Sequence, residues 1–272
     1  MAAAQGLTRV QGALQEIATY SRRVRASEER VWENVHDWEH LPYLHAASFR
    51  GIRCSRADAS GWRAQVVLRN GAEIDLELSL ASDSRSYHSR TLAGSGAGTD
   101  IFTRVRAAGA ETDIAVSFLA PSVSPEAREK IGAAFVQLYT RLWDEDEAMM
   151  RHRQAFLDGS APRAPRPGAR PAQLLGNAQE LLAKLPQEVT SGGDRFVVRE
   201  HGGRLVAHAA ACPHWGASLA AARIDGDTLV CSWHGYRFDL ATGRGPASQR
   251  CRLPARAEVR VSESGEAWLL VS

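Results

Sequence analysis

Cys212-Pro213-His214-Trp215-Gly216 and Cys231-Ser232-Trp233-His234-Gly235-Tyr236 are two short stretches of this 272-residue chain, and sixteen residues lie between His214 and Cys231. The pattern is C-x-H followed by C-x-x-H. Two thiolates can hold one iron of a binuclear iron–sulfur pair while two imidazoles hold the other. Gly216 and Gly235 let each backbone turn close to a metal. A Cys₂His₂ zinc site is the chemical alternative, but zinc fingers space their ligands differently.

Working outward, the chain from about Pro186 reads as short strands with glycine-rich turns such as Ser191-Gly192-Gly193-Asp194 and Gly202-Gly203. That predicts a small all-β domain over 173–272. Leu174, Ala178, Leu181 and Leu185 predict a short amphipathic helix at its start. Residues 158–172, DGSAPRAPRPGARPA, hold four prolines and two glycines. Proline fixes φ and removes a donor, so this stretch reads as a semi-stiff linker after a first domain over 1–157.

In that first domain a strand is expected over Ile17–Arg25, and a helix capped by Ser27 from Glu28 to about Glu39. Alternation then marks strands: Trp62, Ala64, Val66 and Leu68; Ile74, Leu76, Leu78 and Leu80; Ile101, Thr103 and Val105; Ile114, Val116 and Phe118. Asn70-Gly71 is a hairpin signal. Residues 125–157 form a long helix with an apolar stripe of Ile131, Phe135, Leu138, Leu142, Met149 and Phe156. Such a meander can bury one face against the last helix. The order resembles the START-like helix-grip fold, so the fold class is α+β: a START-like helix-grip domain, then a small all-β domain.

Composition is that of an ordinary folded chain, 44% hydrophobic and 24% charged. A formal charge of +2 gives no case for nucleic acid. No apolar run reaches the ~20 residues of a membrane span, and no signal peptide is evident, so a cytoplasmic location is expected. Of the four cysteines, Cys54 and Cys251 are isolated and are expected to be small buried apolar residues. Gly94-Ser95-Gly96-Ala97-Gly98 does not fit a dinucleotide fingerprint and reads as a flexible loop.

The C-x-H…C-x-x-H constellation, with Tyr236-Arg237-Phe238-Asp239 and Thr242-Gly243 after it, resembles the Rieske domain. The resemblance implies a [2Fe–2S] cluster held by Cys212, His214, Cys231 and His234. The extra cysteine pair of some Rieske proteins is absent, since Gly216-Ala217 and Ser232 stand in those places.

A second pattern lies in residues 33–49, ENVHDWEHLPYLHAASF. Asn34, Asp37 and His40 are three apart and share a helix face. Pro42 would end the helix and free His45 to turn back toward His40. Two imidazoles and one carboxylate form the facial triad of non-haem iron(II) oxygenases. The last helix offers Asp144 to Glu147. At about 100° per residue, Glu145 and Asp146 lie near the apolar stripe while Asp144 and Glu147 point away; Glu145 and Asp146 both remain candidates.

Here the chain resembles the catalytic part of Rieske-type non-haem iron oxygenases, whose motif N-x-x-D-x-x-H-x-x-x-x-H is filled by Asn34, Asp37, His40 and His45. Leu41-Pro42-Tyr43-Leu44-His45 and Ser48-Phe49 extend the likeness, and Glu145-Asp146 is similar to the family's Glu-Asp pair. The resemblance implies mononuclear Fe(II) on His40, His45 and Asp146, with Asp37 bridging a ligand histidine to a Rieske histidine. It also implies a separate reductase or ferredoxin, O₂, an apolar small-molecule substrate and a homo-oligomer, a trimer. The chain departs from the family in order, because its Rieske domain comes second. A different reading is a START-like ligand-binding domain fused to a Rieske electron carrier or redox sensor, without mononuclear iron.

Overall fold

The computed structural model describes residues 14–82, 85–159, 171–249, 251–254 and 257–271. They divide into two compact units, Met1–Arg151 and His152–Ser272. Most of the expected proline-rich linker, 160–170, lies outside the described residues. Among the described residues no helix is long and apolar enough to cross a membrane.

The first unit opens with β1 (Leu14–Val24), α1 (Glu28–His36) and the single-turn α2 (Leu41–Leu44). A meander follows: β2 (Phe49–Asp58), β3 (Gly61–Leu68), β4 (Glu73–Leu80), β5 (Ser86–Gly94), β6 (Asp100–Ala108) and β7 (Glu111–Pro121). The long helix α3 (Pro125–Gly159) comes last, and its residues past Arg151 fall in the second unit. The seven strands form one antiparallel sheet in the order β1-β7-β6-β5-β4-β3-β2. Adjacent strands are sequence neighbours except where β1 closes on β7.

Alternation decides which side chains face inward. Trp62, Ala64 and Val66 on β3, Ile101 and Val105 on β6, and Ile114, Val116 and Phe118 on β7 are all buried in one core. Phe135 and Tyr139 of α3 close over Phe118, with ring centroids 5.2 and 4.8 Å away. Each large side chain removed from water in this way contributes roughly 1.5–3 kcal/mol. Gly132 lets α3 approach β1, because a Cβ there would stand 2.5 Å from the Ile17 carbonyl oxygen. A sheet curved over its own C-terminal helix is the helix-grip arrangement expected from the sequence.

The start of this unit differs from expectation: the first strand runs Leu14–Val24 and not Ile17–Arg25. The helix that opens at Ser27 stops at His36, not Glu39. Asp37 leaves helical geometry at φ −86°, ψ 96°, and its Oδ1 accepts the Glu39 backbone N–H at 3.1 Å. Such local side-chain bonds compete with the helix. Pro42 sits in the first turn of α2, where its missing N–H costs nothing, so it starts a turn and does not end a helix.

The second unit contains β8 (Gln173–Asn177), α4 (Ala178–Leu182), β9 (Gln187–Ser191), β10 (Asp194–His201) and β11 (Arg204–Ala209). After these come β12 (Arg223–Asp225), β13 (Thr228–Val230), β14 (Arg237–Asp239), β15 (Ala257–Val261) and β16 (Glu266–Val271). A six-stranded sheet runs β8-β16-β15-β11-β10-β9, and a three-stranded sheet runs β12-β13-β14. Leu174, expected on a helix, lies on β8 opposite Trp268 of β16. Pairing with a strand some ninety residues distant overrides the local helical spacing. The helix proper begins only where the Asn177 side chain caps Gln179 and Glu180. With that adjustment the α+β class, a helix-grip unit followed by a small all-β unit, is the one observed.

Candidate metal centres

In the second unit, the Cys212 loop follows β11 and the Cys231 loop joins β13 to β14. The two loops share one hydrogen-bond scheme. Gly216 N–H donates to the Cys212 carbonyl at 2.8 Å and Gly235 N–H to the Cys231 carbonyl at 3.0 Å. In return Cys212 N–H reaches Ala217 O, and Cys231 N–H reaches Tyr236 O, both at 2.8 Å. Both glycines adopt left-handed backbone, at φ +84° and +67°, which favours glycine. Behind the first loop the buried guanidinium of Arg199 donates to the carbonyls of Leu219, Ala220 and Ala222, fixing the chain that leaves it.

These loops bring four expected ligands together. Cys212 and Cys231 are fully buried and hydrogen-bonded to each other. The hydrogen bond from Cys212 lowers the Cys231 thiol pKa, and the same contact with burial pushes Cys212 up. Backbone N–H groups of Trp233 and His234 also point at the Cys231 sulfur. The His214 and His234 rings stand 4.6 Å apart and nearly perpendicular. Tyr236 stacks on His214 at 4.2 Å and Trp215 meets His234 edge-on at 5.2 Å, so aromatic walls fix both imidazoles. Two buried sulfurs beside two oriented imidazoles fit a cluster with thiolates on one iron and histidines on the other.

The Rieske [2Fe-2S] domain family matches residues 172–258. Ferredoxin CarAc of Metapseudomonas resinovorans is 37% identical over 85 residues, which are 31% of this chain and 69% of that protein.

The chain belongs to the Rieske [2Fe–2S] domain family.

Among solved structures, the complex of reduced oxygenase and oxidized ferredoxin in carbazole 1,9a-dioxygenase contains a chain 30% identical to this Rieske protein. It covers 36% of this chain and 92% of that one, at a TM-score of 0.31. A START superfamily protein from Mycobacterium smegmatis is 15% identical, over 48% of this chain and 97% of that one, at 0.41.

The first unit of this Rieske protein holds a second constellation. His40, His45 and Asp146 are all buried and offer donor atoms within 4.8 Å of one another. His45 Nε2 lies 3.1 Å and His40 Nε2 3.6 Å from the same atom, Asp146 Oδ1. Two donors each about 2.1 Å from one ion, at tetrahedral to right angles, stand about 3.0–3.4 Å apart. Asp146 Oδ1 is buried without a properly formed hydrogen bond, which suits an atom facing a cation.

The far nitrogen of each ring is also held. Asp37 Oδ2 is 3.2 Å from His40 Nδ1, and Glu145 Oε2 is 2.6 Å from His45 Nδ1. A carboxylate on Nδ1 fixes the tautomer with a proton there and leaves Nε2 as the donor. Burial lowers the His45 pKa, but Asp146 and Glu145 outweigh it and leave the imidazole above its ordinary value.

Neighbouring acidic residues divide differently from the helical-wheel expectation. Asp144 is exposed and pairs with Arg22 at 2.8 Å. Glu147, expected to point away, is 3% exposed and lies between Arg22 at 2.8 Å and Arg25 at 2.5 Å. Arg22 on β1 and Arg25 just after it allow that carboxylate to be buried. Asn34 is buried near the histidines, lines the cavity beneath the sheet, and its Oδ1 has no hydrogen bond. Cys54 and Cys251 are half-buried and not buried as expected. Cys251 packs at the edge of the core around the cysteine loops.

Proposed function

We propose that this chain is the oxygenase component of a Rieske-type non-haem iron system. In this reading residues 1–157 form the catalytic domain, and 173–272 form the Rieske domain that takes one electron at a time from a separate reductase or ferredoxin. The reaction is R–H + O₂ + 2 e⁻ + 2 H⁺ → R–OH + H₂O. Hydroxylation on an O-methyl carbon would give demethylation.

The observation that carries this reading is the convergence of His40 Nε2 and His45 Nε2 on one oxygen of Asp146. These three residues would hold an iron(II) ion, which would supply O₂ activation. His40 and His45 can each present Nε2 to the ion because Asp37 and Glu145 each hold the proton at Nδ1. Aromatic and aliphatic side chains over the site exclude bulk water, which strengthens every charge interaction within it. Asp37 is the link from His40 toward a Rieske histidine. Arrangement of the chains as a trimer would let that histidine come from a neighbouring copy. A mixture of a Cys212→Ser chain with a His45→Ala chain then recovers activity.

The similarity to a ferredoxin favours a second reading, in which the Rieske domain is an electron carrier joined to a ligand-binding domain. Iron content separates the two. Three irons per chain after anaerobic purification are expected for the oxygenase, and two would select the carrier.

A further inference from the structure

The first unit encloses a cavity of about 600 Å³ between the sheet and α3. Its lining runs along α3 from Asp146 to Ile131. Fifteen steps of 1.5 Å make that span about 22 Å, so the cavity is a narrow channel. The walls between are apolar and aromatic, Trp62, Leu76, Phe135 and Leu138 among them.

The two ends differ. Asp37 and Asp146 stand at the histidine end, and no Lys or Arg is among the described lining residues. Beside a buried side chain such as Thr99, 6% exposed, a ligand carboxylate would lose its hydration and meet no cation among the described lining residues, an unfavourable transfer. Tyr87 and Tyr139 also line the channel, and burial raises both phenols far above physiological pH, so they are neutral donors. At the other end the turn between β5 and β6 brings Ser95 and Thr99 to the wall, with Thr91 beside them. Uncharged hydroxyls there can bond an alcohol or a carbonyl.

Building on the reading above, we propose that the channel takes a neutral, elongated apolar molecule with a hydroxyl or carbonyl group at the end away from His40 and His45. Aromatic acids and other anionic substrates are excluded. The carbon presented to the metal is then at the opposite end from the ligand's polar group.

All-trans-retinol and all-trans-retinoate share one apolar body and differ in the charge of the end group, so they serve as probes. Quenching of tryptophan fluorescence is followed in the full chain after the mononuclear iron is chelated out. Retinol is expected to bind at least tenfold more tightly than retinoate. Equal or tighter binding of retinoate, or no binding of either, overturns the proposal. Ser95→Ala, at an exposed position, and Thr99→Val should each weaken retinol by about threefold to tenfold, the worth of one hydrogen bond. Unchanged retinol affinity in both variants would overturn the placement of the polar end. The assay uses no turnover, so a chain with only two irons would defeat the oxygenase reading and leave this result standing.

Discussion

Glu145 Oε2 lies 2.6 Å from His45 Nδ1, while the carboxylate of the next residue, Asp146, faces His45 Nε2 at 3.1 Å. Consecutive acidic residues on α3 thus grip opposite sides of one imidazole. If the proposed iron sits here, Glu145→Ala should weaken its binding by about ten- to a hundredfold, the usual cost of losing a carboxylate behind a ligand histidine. Glu145→Gln keeps an acceptor and should cost less. Asp146→Ala should release the ion altogether, and Asp144→Ala should change nothing, since Asp144 only pairs with Arg22 at the surface. Iron retention against a graded chelator ranks the four variants. A Glu145→Ala chain that holds iron like the parent would sink the positioning role.

The Rieske pair gives a test by potential. His234→Cys replaces a neutral ligand with an anionic one, which disfavours a further electron. The midpoint should fall from the Rieske range, about −150 to +300 mV, toward the roughly −400 mV of all-cysteine clusters. A redox titration of the visible spectrum reads the shift. An unchanged midpoint would remove His234 from the cluster.

Much of this was legible because side-chain period survives folding. Trp62, Ala64 and Val66 alternate in sequence and all face the core. The cysteine–histidine loops are local, so spacing alone defines them. The features that were not legible depend on distant partners. Burial of Glu147 needs Arg22 and Arg25, more than a hundred residues earlier. Leu174 is a strand residue because β16 pairs with it. Glu145 was seen only as a rival to Asp146. A role on the other face of His45 depends on the χ angles of two residues a hundred positions apart, which helical spacing does not encode.

His208 makes the second unit sensitive to acid. Its ring is 2% exposed, and Nδ1 donates to the Ala209 carbonyl at 2.8 Å. Burial, with a further push from Arg199 against the lift of the Ala209 bond, lowers its pKa to about 4. An unfolded histidine titrates near 6.5. Between those values the unfolded chain binds a proton that the folded chain does not. Stability is therefore full above about pH 6.5 and falls as pH drops toward 4, by about 3 kcal/mol for this group. His208→Gln keeps a donor and cannot titrate. Urea midpoints of the two proteins from pH 7 to pH 4 should diverge, with the parent losing more. Parallel curves would mean that His208 charges freely in the folded state.

Asp37 offers the sharpest test of the proposed electron route, because its side chain has two separable tasks. Oδ1 accepts the Glu39 backbone N–H and shapes the turn after α1, while Oδ2 faces His40 Nδ1 at 3.2 Å. Asp37→Asn preserves size and can keep the turn through its amide oxygen. It removes the negative charge that holds the His40 proton and that would favour a positive imidazole at the far end of the route. The Asn chain should retain all three irons, because His40, His45 and Asp146 are untouched. Reduction of the Rieske cluster by its donor should also be unchanged. Transfer from the reduced cluster to the catalytic iron should slow by at least a hundredfold, read by stopped-flow as persistence of the reduced-cluster spectrum in the presence of O₂ and substrate. Loss of the third iron in this variant would instead make Asp37 a support for the metal ligands, and a transfer rate equal to the parent's would take it off the route.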